Sequence, residues 1–295
     1  MIEMMTTNVF QRVLAIFLVV AAIFLANGVA QADAYDDIQK YTAQINQNPN
    51  DAEGYYNRGL AYYDLGQYNR AIQDFNKAIQ FNPNNDYYYN SRGNSYKQLG
   101  QYERAIQDYS IIIQINPNHY LAYYNRGTTY GQSGQNEKAI QDFDKAIQLN
   151  PSHFSSYNNR GLVYKNLKQY ERAIQDFNKA IQLNPNDAHA YTNRGNAYDD
   201  LGQHYQAIQD FNMAIQLNPN FDIAYNNRGL VYYVLGQYEL AIQDYSTAIR
   251  LNPIYVTAYK NRSNAYKAIG NISAANADLD KYNEIIFTGI TITSK

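Results

Sequence analysis

Two opposite charges recur along this chain at a fixed interval, and they are the first candidates for chemistry. Arg58, Arg92, Arg126, Arg160, Arg194, Arg228 and Arg262 stand 34 residues apart, as do Asp74, Asp108, Asp142, Asp176, Asp210, Asp244 and Asp278. A row of carboxylates could serve acid–base catalysis or line a charged groove. The one-to-one count of the two signs argues instead for a structural ion-pair ladder in which each charge has its own partner. Removing one member of a buried pair costs about 3–5 kcal/mol, although the intact pair adds little stability. The spacing leaves open whether each pair lies within one repeating unit or between neighbours. Lys40 stands where an aspartate preceding Arg58 would be, and no arginine follows Asp278.

Other reactive groups are sparse. His119, His153, His189 and His204 form no H-E-x-x-H or comparable metal spacing. His119 and His153 share one place in the repeat, which fits a surface pair better than a metal site. There is no cysteine, no G-x-S-x-G elbow and no phosphate-binding glycine loop. The sequence therefore points to no catalytic residue, metal or cofactor, and to a protein that is not an enzyme. The net charge is -2 with both signs interspersed, so there is no basic footprint for nucleic acid.

The elements that position these residues are set by proline. Pro49, Pro83, Pro117, Pro151, Pro185, Pro219 and Pro253 are each 34 residues apart, with nothing inserted or lost between them. A fixed period of that length marks copies of one supersecondary unit. We number each unit 1–34 from Ala52, Asp86, Tyr120, Phe154, Ala188, Asp222 and Val256. Tyrosine fills positions 4 and 11 throughout, glycine position 8 until Ser263, alanine position 20, and Phe or Tyr position 24 until Leu279. Positions 4, 8 and 11 share one helical stripe, and 20, 21, 24, 27 and 28 share another. Glycine or Lys168 at position 15 ends the first helix in a left-handed cap. Asn-Pro at 31–32 ends the second. The spacing predicts a helix–turn–helix hairpin, helix A near positions 2–14 and helix B near 18–31.

This pattern resembles the tetratricopeptide repeat, whose signature is aromatic 4, Leu 7, Gly 8, Tyr 11, Ala 20, Phe 24, Ala 27 and Pro 32. Two departures are systematic: tyrosine replaces the usual tryptophan at 4, and arginine replaces leucine at 7. The resemblance implies an all-α fold, an α-solenoid wound as a right-handed superhelix of antiparallel helix hairpins. It covers seven repeats, at 52–85, 86–119, 120–153, 154–187, 188–221, 222–255 and 256–287. Residues 33–51 read as a half repeat of helix B type, with Tyr41, Ile45 and Pro49 at positions 24, 28 and 32. In the last repeat Asn276 and Asn283 replace isoleucine at 21 and 28, fitting a wetted end face. Residues 288–295 form a C-terminal tail.

Residues 1–32 lie outside the repeat. Val13–Ala26 is an unbroken apolar run, followed by Ala30-Gln31-Ala32. That reads as a signal peptide cleaved after Ala32, being shorter than the roughly 20 apolar residues needed to span a bilayer. We expect an exported protein without a membrane span after cleavage; the alternative is that the run stays as an uncleaved N-terminal anchor.

The resemblance further implies that helix A lines a concave groove. Position 6 there is asparagine in six units: Asn57, Asn125, Asn159, Asn193, Asn227 and Asn261, with Ser91 the exception. This ladder is similar to one that holds peptide backbone in the array of a protein O-glycosyltransferase. An amide side chain can donate to C=O and accept from N–H, or it can brace neighbouring helices. Around it, positions 5 and 12 change from unit to unit, and with position 2 they supply Tyr56, Tyr63, Tyr87, Tyr124, Lys97, Lys165, Asp199 and Tyr233. A chaperone-type carboxylate clamp is not formed, since Lys260 and Asn264 lack the companion repeats it requires. The expected function is a scaffold binding an extended segment of a partner protein, for assembly or chaperoning of an extracytoplasmic complex. The alternatives are an architectural subunit using its convex or edge surface, and a docking subunit of a separate enzyme.

Overall fold

The computed structural model describes residues 31–293, with side chains to 287, and every regular element among them is a helix. The chain divides into two compact units, one ending at Gln135 and the other beginning at Asn136. The first contains α1 (31–47), α2 (Ala52–Asp64), α3 (Tyr68–Phe81), α4 (Asp86–Gln98), α5 (Tyr102–Ile115) and α6 (Tyr120–Gln132). The second contains α7 (Asn136–Leu149), α8 (Phe154–Asn166), α9 (Tyr170–Leu183), α10 (Ala188–Asp200) and α11 (His204–Leu217). It continues through α12 (Asp222–Val234), α13 (Tyr238–Leu251), α14 (Val256–Ala268) and α15 (Ile272–Thr293). From α2 onward, even-numbered helices are A and odd-numbered helices B. Within each unit an A helix packs on the B helix of its own repeat and on the B helix before it. This is an α-solenoid of antiparallel hairpins.

Both helices begin one position earlier than the sequence pattern suggests. The residue at position 34 caps the next helix A from outside: Asp51, Asn85 and Asp187 each accept a backbone N–H of the first turn. His119 does the same through Nδ1, which accepts from the Ala122 amide at 3.1 Å. His153 places Nδ1 2.8 Å from Ser156 Oγ. These two histidines share a position because that position is the helix cap.

The hairpins close on small residues. The alanine at position 20 is fully buried in every repeat. The glycine at position 8 lies under the position-24 ring: a Cβ on Gly161 would be 2.7 Å from the Phe177 ring, and one on Gly59 2.6 Å from Phe75. In the last repeat Ser263 fits because Leu279 replaces the ring, and its hydroxyl donates to Ala275 O at 2.8 Å. At the same end Asn276 and Asn283 are exposed, and α15 runs past Phe287, which stands in place of proline, to Thr293. At the other end α1 occupies the place of a helix B, with Ile45 buried and Thr42 accepting from Arg58 at 3.1 Å. The cleavage-signal reading of residues 1–32 falls almost wholly outside the described residues.

The turn from helix A to helix B requires one left-handed residue. Gly66, Gly100, Gly134, Gly202, Gly236 and Gly270 have φ of 69–78°, and Lys168 takes the same conformation at φ 58°. The Lys168 amide donates to Lys165 O at 2.9 Å and the Gln169 amide to Tyr164 O at 2.8 Å, closing the helix end. A side chain with a Cβ is strained there and glycine is not. Lys168→Gly is expected to raise stability by about 1 kcal/mol or less, read from the urea midpoint. A clear loss would contradict this account of the turn.

Candidate peptide-binding face

The A helices are held in register by the arginine at position 7. Arg194 Nε donates to Asp210 Oδ2 at 2.8 Å and its Nη2 to Asp210 Oδ1 at 2.6 Å, a two-pronged bond inside one repeat. The same geometry joins Arg58 to Asp74, Arg92 to Asp108, Arg160 to Asp176, Arg228 to Asp244 and Arg262 to Asp278. The question left open by the spacing is settled for these six pairs: each lies within its own repeat. Arg58 and Asp278, at the two ends of the ladder, are therefore both paired.

The remaining prong of each guanidinium reaches back to position 25 of the preceding helix B. Nη1 of Arg92 donates to Asn76 at 2.6 Å, of Arg126 to Ser110 at 2.9 Å, of Arg194 to Asn178 at 2.6 Å, and of Arg262 to Ser246 at 2.9 Å. Arg228 finds Asn212 in the same way, and Arg160 finds a carboxylate, Asp144. Thr42 plays this part for Arg58. Sequence reasoning missed this acceptor, although its signal was present: position 25 is always a short oxygen-bearing residue. The guanidinium also lies between the two invariant tyrosines, 5.5 Å from Tyr191 and 5.9 Å from Tyr198 in the case of Arg194.

The aspartates are buried, from 2% exposed at Asp108 to 6% at Asp244. Burial pushes the Asp108 carboxyl up from its ordinary range, with Arg92 pulling the other way. The hydrogen bond to Asp74, above all, raises the Arg58 pKa. These carboxylates are consumed by structure, and each would be a desolvated, unpaired charge without its arginine.

The amides of the ladder bond first to one another. Asn125 Nδ2 donates to Asn90 Oδ1 at 2.9 Å, Asn193 to Asn158 at 3.0 Å and Asn261 to Asn226 at 3.0 Å. Each bond joins position 6 of one repeat to position 5 of the repeat before it. The chain extends further: Asn226 Nδ2 reaches Asn227 Oδ1 at 3.2 Å, and Asn227 Nδ2 reaches Asn196 Oδ1 at 2.9 Å. Asn158 likewise donates to Asn159 at 3.3 Å. Where asparagine is missing, Ser91 Oγ lies 3.4 Å from the Tyr56 hydroxyl. Asn57 is half-buried. Each amide that donates one N–H in this ladder has a second, so the ladder can brace the A helices and still offer donors along them.

The variable residues divide by surroundings. Tyr56 is packed, its ring 5.8 Å from Phe75 and 4.8 Å from Tyr88. Tyr63 and Tyr233 lean on the tyrosines that open their own B helices, Tyr68 at 5.2 Å and Tyr238 at 5.4 Å. Asp199 meets His204 Nδ1 at 2.8 Å in the same relation. Position 12 also reaches position 13 of the next repeat: Gln98 Nε2 lies 3.4 Å from the Tyr63 hydroxyl, and Lys165 Nζ lies 3.4 Å from Asp200. Lys97 and Tyr124 are half-buried, and burial lowers the Lys97 pKa. Tyr87, at position 2, is open to solvent at 68% exposure. Among the described residues no group of His, Asp or Glu is placed to hold a metal ion.

Because Asn193 is tied to Asn158 across two repeats, Asn193→Ala is expected to lower stability by about 0.5–1.5 kcal/mol. Urea unfolding of both single variants and the double variant checks this. If Asn158→Ala costs as much again in the Asn193→Ala background, the two amides do not interact.

The comparisons with known proteins agree with this architecture. The model of the tetratricopeptide repeat matches residues 52–85, 87–119, 120–153, 154–187, 188–221 and 223–255. No curated protein matches the chain. A tetratricopeptide repeat protein from Parabacteroides merdae is similar over 79% of this chain and 93% of its own, at 23% identity and a TM-score of 0.66. The Cut9–Hcn1 structure of the APC/C is similar over 80% of this chain, at 21% identity and a TM-score of 0.65. The match spans 46% of that chain, about half its length. YrrB, described as a TPR protein with an unusual peptide-binding site, is similar over 63% of this chain and 96% of its own, at 24% identity and a TM-score of 0.50. With six consecutive copies matched over more than half of its length, the chain belongs to the tetratricopeptide repeat family.

Proposed function

We propose that this protein is a non-enzymatic scaffold that binds an extended segment of a partner protein along the face of its A helices. The observation that carries this reading is the division of labour between positions. Residues that never change, at 4, 7, 11, 20 and 23, are occupied in joining helices. Residues at 2, 5, 9, 12 and 13 differ from repeat to repeat, and several, such as Tyr87, are open to solvent. A fixed frame carrying a varied polar and aromatic face suits recognition of a protein surface. Tetratricopeptide repeats are typically interaction scaffolds, and YrrB is described as having a peptide-binding site on this fold. The apolar run Val13–Ala26 and the Ala30-Gln31-Ala32 that follows support export, so the complex would be assembled or chaperoned outside the cytoplasm. No helix among the described residues is long and apolar enough to cross a membrane.

A second reading has one observation in its favour. The amide ladder already spends hydrogen bonds between repeats, as an architectural subunit with its contacts on the helix B side would. Affinity capture separates the two. The bait is the exported chain, expected by mass to begin at Asp33. One variant carries Tyr87→Ala and Lys165→Ala on the A face, and the other carries Lys77→Glu, at an exposed B helix position, and Lys179→Glu, at a half-buried one. The A-face variant should weaken the partner about tenfold at an unchanged unfolding midpoint, from two lost contacts of about 0.5–1.5 kcal/mol. Loss of the partner only with the B-face variant would establish the architectural reading.

A further inference from the structure

The last repeat ends in a junction that no further helix fills. At internal junctions, positions 5 and 12 of one A helix face positions 6 and 13 of the next: Asn226 meets Asn261 at 3.0 Å, and Lys165 meets Asp200 at 3.4 Å. Position 25 of the B helix faces the arginine at position 7 of the next repeat, as Asp144 meets Arg160. In the last repeat these three places hold Lys260, Lys267 and Asp280. They therefore face the side on which an eighth repeat would begin. All three are exposed, and none has an ion-pair partner among the described residues. Lys260 lies 6.0 Å from the Tyr282 ring.

These charges do not serve the hairpin that carries them. Arg262 is held by Asp278 and Ser246, which leaves Asp280 unused. No other repeat has a cation at both positions 5 and 12. Asn276 and Asn283 are enough to keep the end face wetted, since both are exposed where isoleucine stands elsewhere. Wetting calls for polarity, whereas this face also carries charges of set sign at the places that set register between repeats. The two lysines are seven residues apart, so they share one side of α14 about 10 Å apart along its axis.

We infer that this end seats an α-helix of a partner protein, placed as the next A helix would be. That helix carries an acidic residue, an arginine directly after it, and a second acidic residue six positions beyond the arginine. The acidic residues take places 6 and 13, against Lys260 and Lys267. The arginine takes place 7, turned about 100° away, toward Asp280. The same design exists within the array with an amide at place 6: Asn193 and Arg194 are followed by Asp200, which meets Lys165. This end surface is separate from the A-helix face proposed above for an extended segment.

Three labelled helical peptides on an alanine and glutamine background test it. The first has Glu, Arg and Glu at places 6, 7 and 13. The second has Lys, Glu and Lys there. The third has the composition of the first with its arginine moved to place 9. Fluorescence anisotropy with the exported chain should show the first binding about tenfold more tightly than the second, with the difference shrinking as salt rises. Non-specific attraction would favour the second, because the chain has a net charge of -2. The third should bind more weakly than the first by about threefold, having lost one exposed ion pair. Lys260→Glu, Lys267→Glu and Asp280→Lys together should reverse the preference between the first two at an unchanged unfolding midpoint. Equal binding of the first two peptides, binding of none, equal binding of the first and third, or a preference indifferent to the charge reversal would overturn the inference. So would self-association of the chain that the reversal abolishes, which would assign this end to a second copy.

Discussion

One guanidinium per repeat organises this fold. The arginine at position 7 grips the aspartate of its own helix B with two nitrogens and reaches the preceding helix B with a third, as Arg194 does with Asp210 and Asn178. Because the aspartate is almost wholly buried, the pair cannot be halved without stranding a desolvated charge. The planar cation also needs faces to rest on, and tyrosines at positions 4 and 11 supply them on either side. The two systematic departures from the family signature, arginine for leucine and tyrosine for tryptophan, thus belong to one arrangement. The arginine fork is what allows a single residue to hold two partners through three nitrogens.

Much of this was legible in the sequence because the period is strict. Proline and glycine fixed the helix boundaries to within one residue, and the departure of Lys168 from glycine identified a left-handed site. Coupled exceptions were legible too: Ser263 appears in the repeat where Leu279 replaces the ring, and Asn276 and Asn283 appear where no further helix follows. What periodicity could not tell is which of two flanking helices a side chain enters. Position 23 could have served the arginine of its own repeat or of the next, and a long, flexible side chain reaches both. The position-25 acceptor was overlooked because Asn, Ser, Asp and Thr look variable by type while sharing one short oxygen. Tyr56 read as a free aromatic, yet its ring is packed between Phe75 and Tyr88, since position 5 lies at the seam with the next helix A.

The same division explains how recognition can vary without cost to the frame. The clamp uses the inner sides of both helices, leaving positions 2, 9 and 13 on the outer side of helix A free to change. Repeat 6 uses that freedom for an apolar stripe, while its neighbours carry polar groups at the same places. The amide ladder sits between the two regimes. It ties adjacent A helices at positions 5 and 6 while retaining N–H groups that a bound backbone could use.

Native-state hydrogen exchange of Arg194→Leu tests the central claim most directly, because it reads the opening free energy of each helix separately. The account predicts a loss of about 3–5 kcal/mol in α10 and α11. It also predicts a smaller loss in α9 through Asn178, and recovery of most of the deficit when Asp210→Leu is added. A loss under about 1 kcal/mol, or a double variant no more stable than the single one, would contradict it.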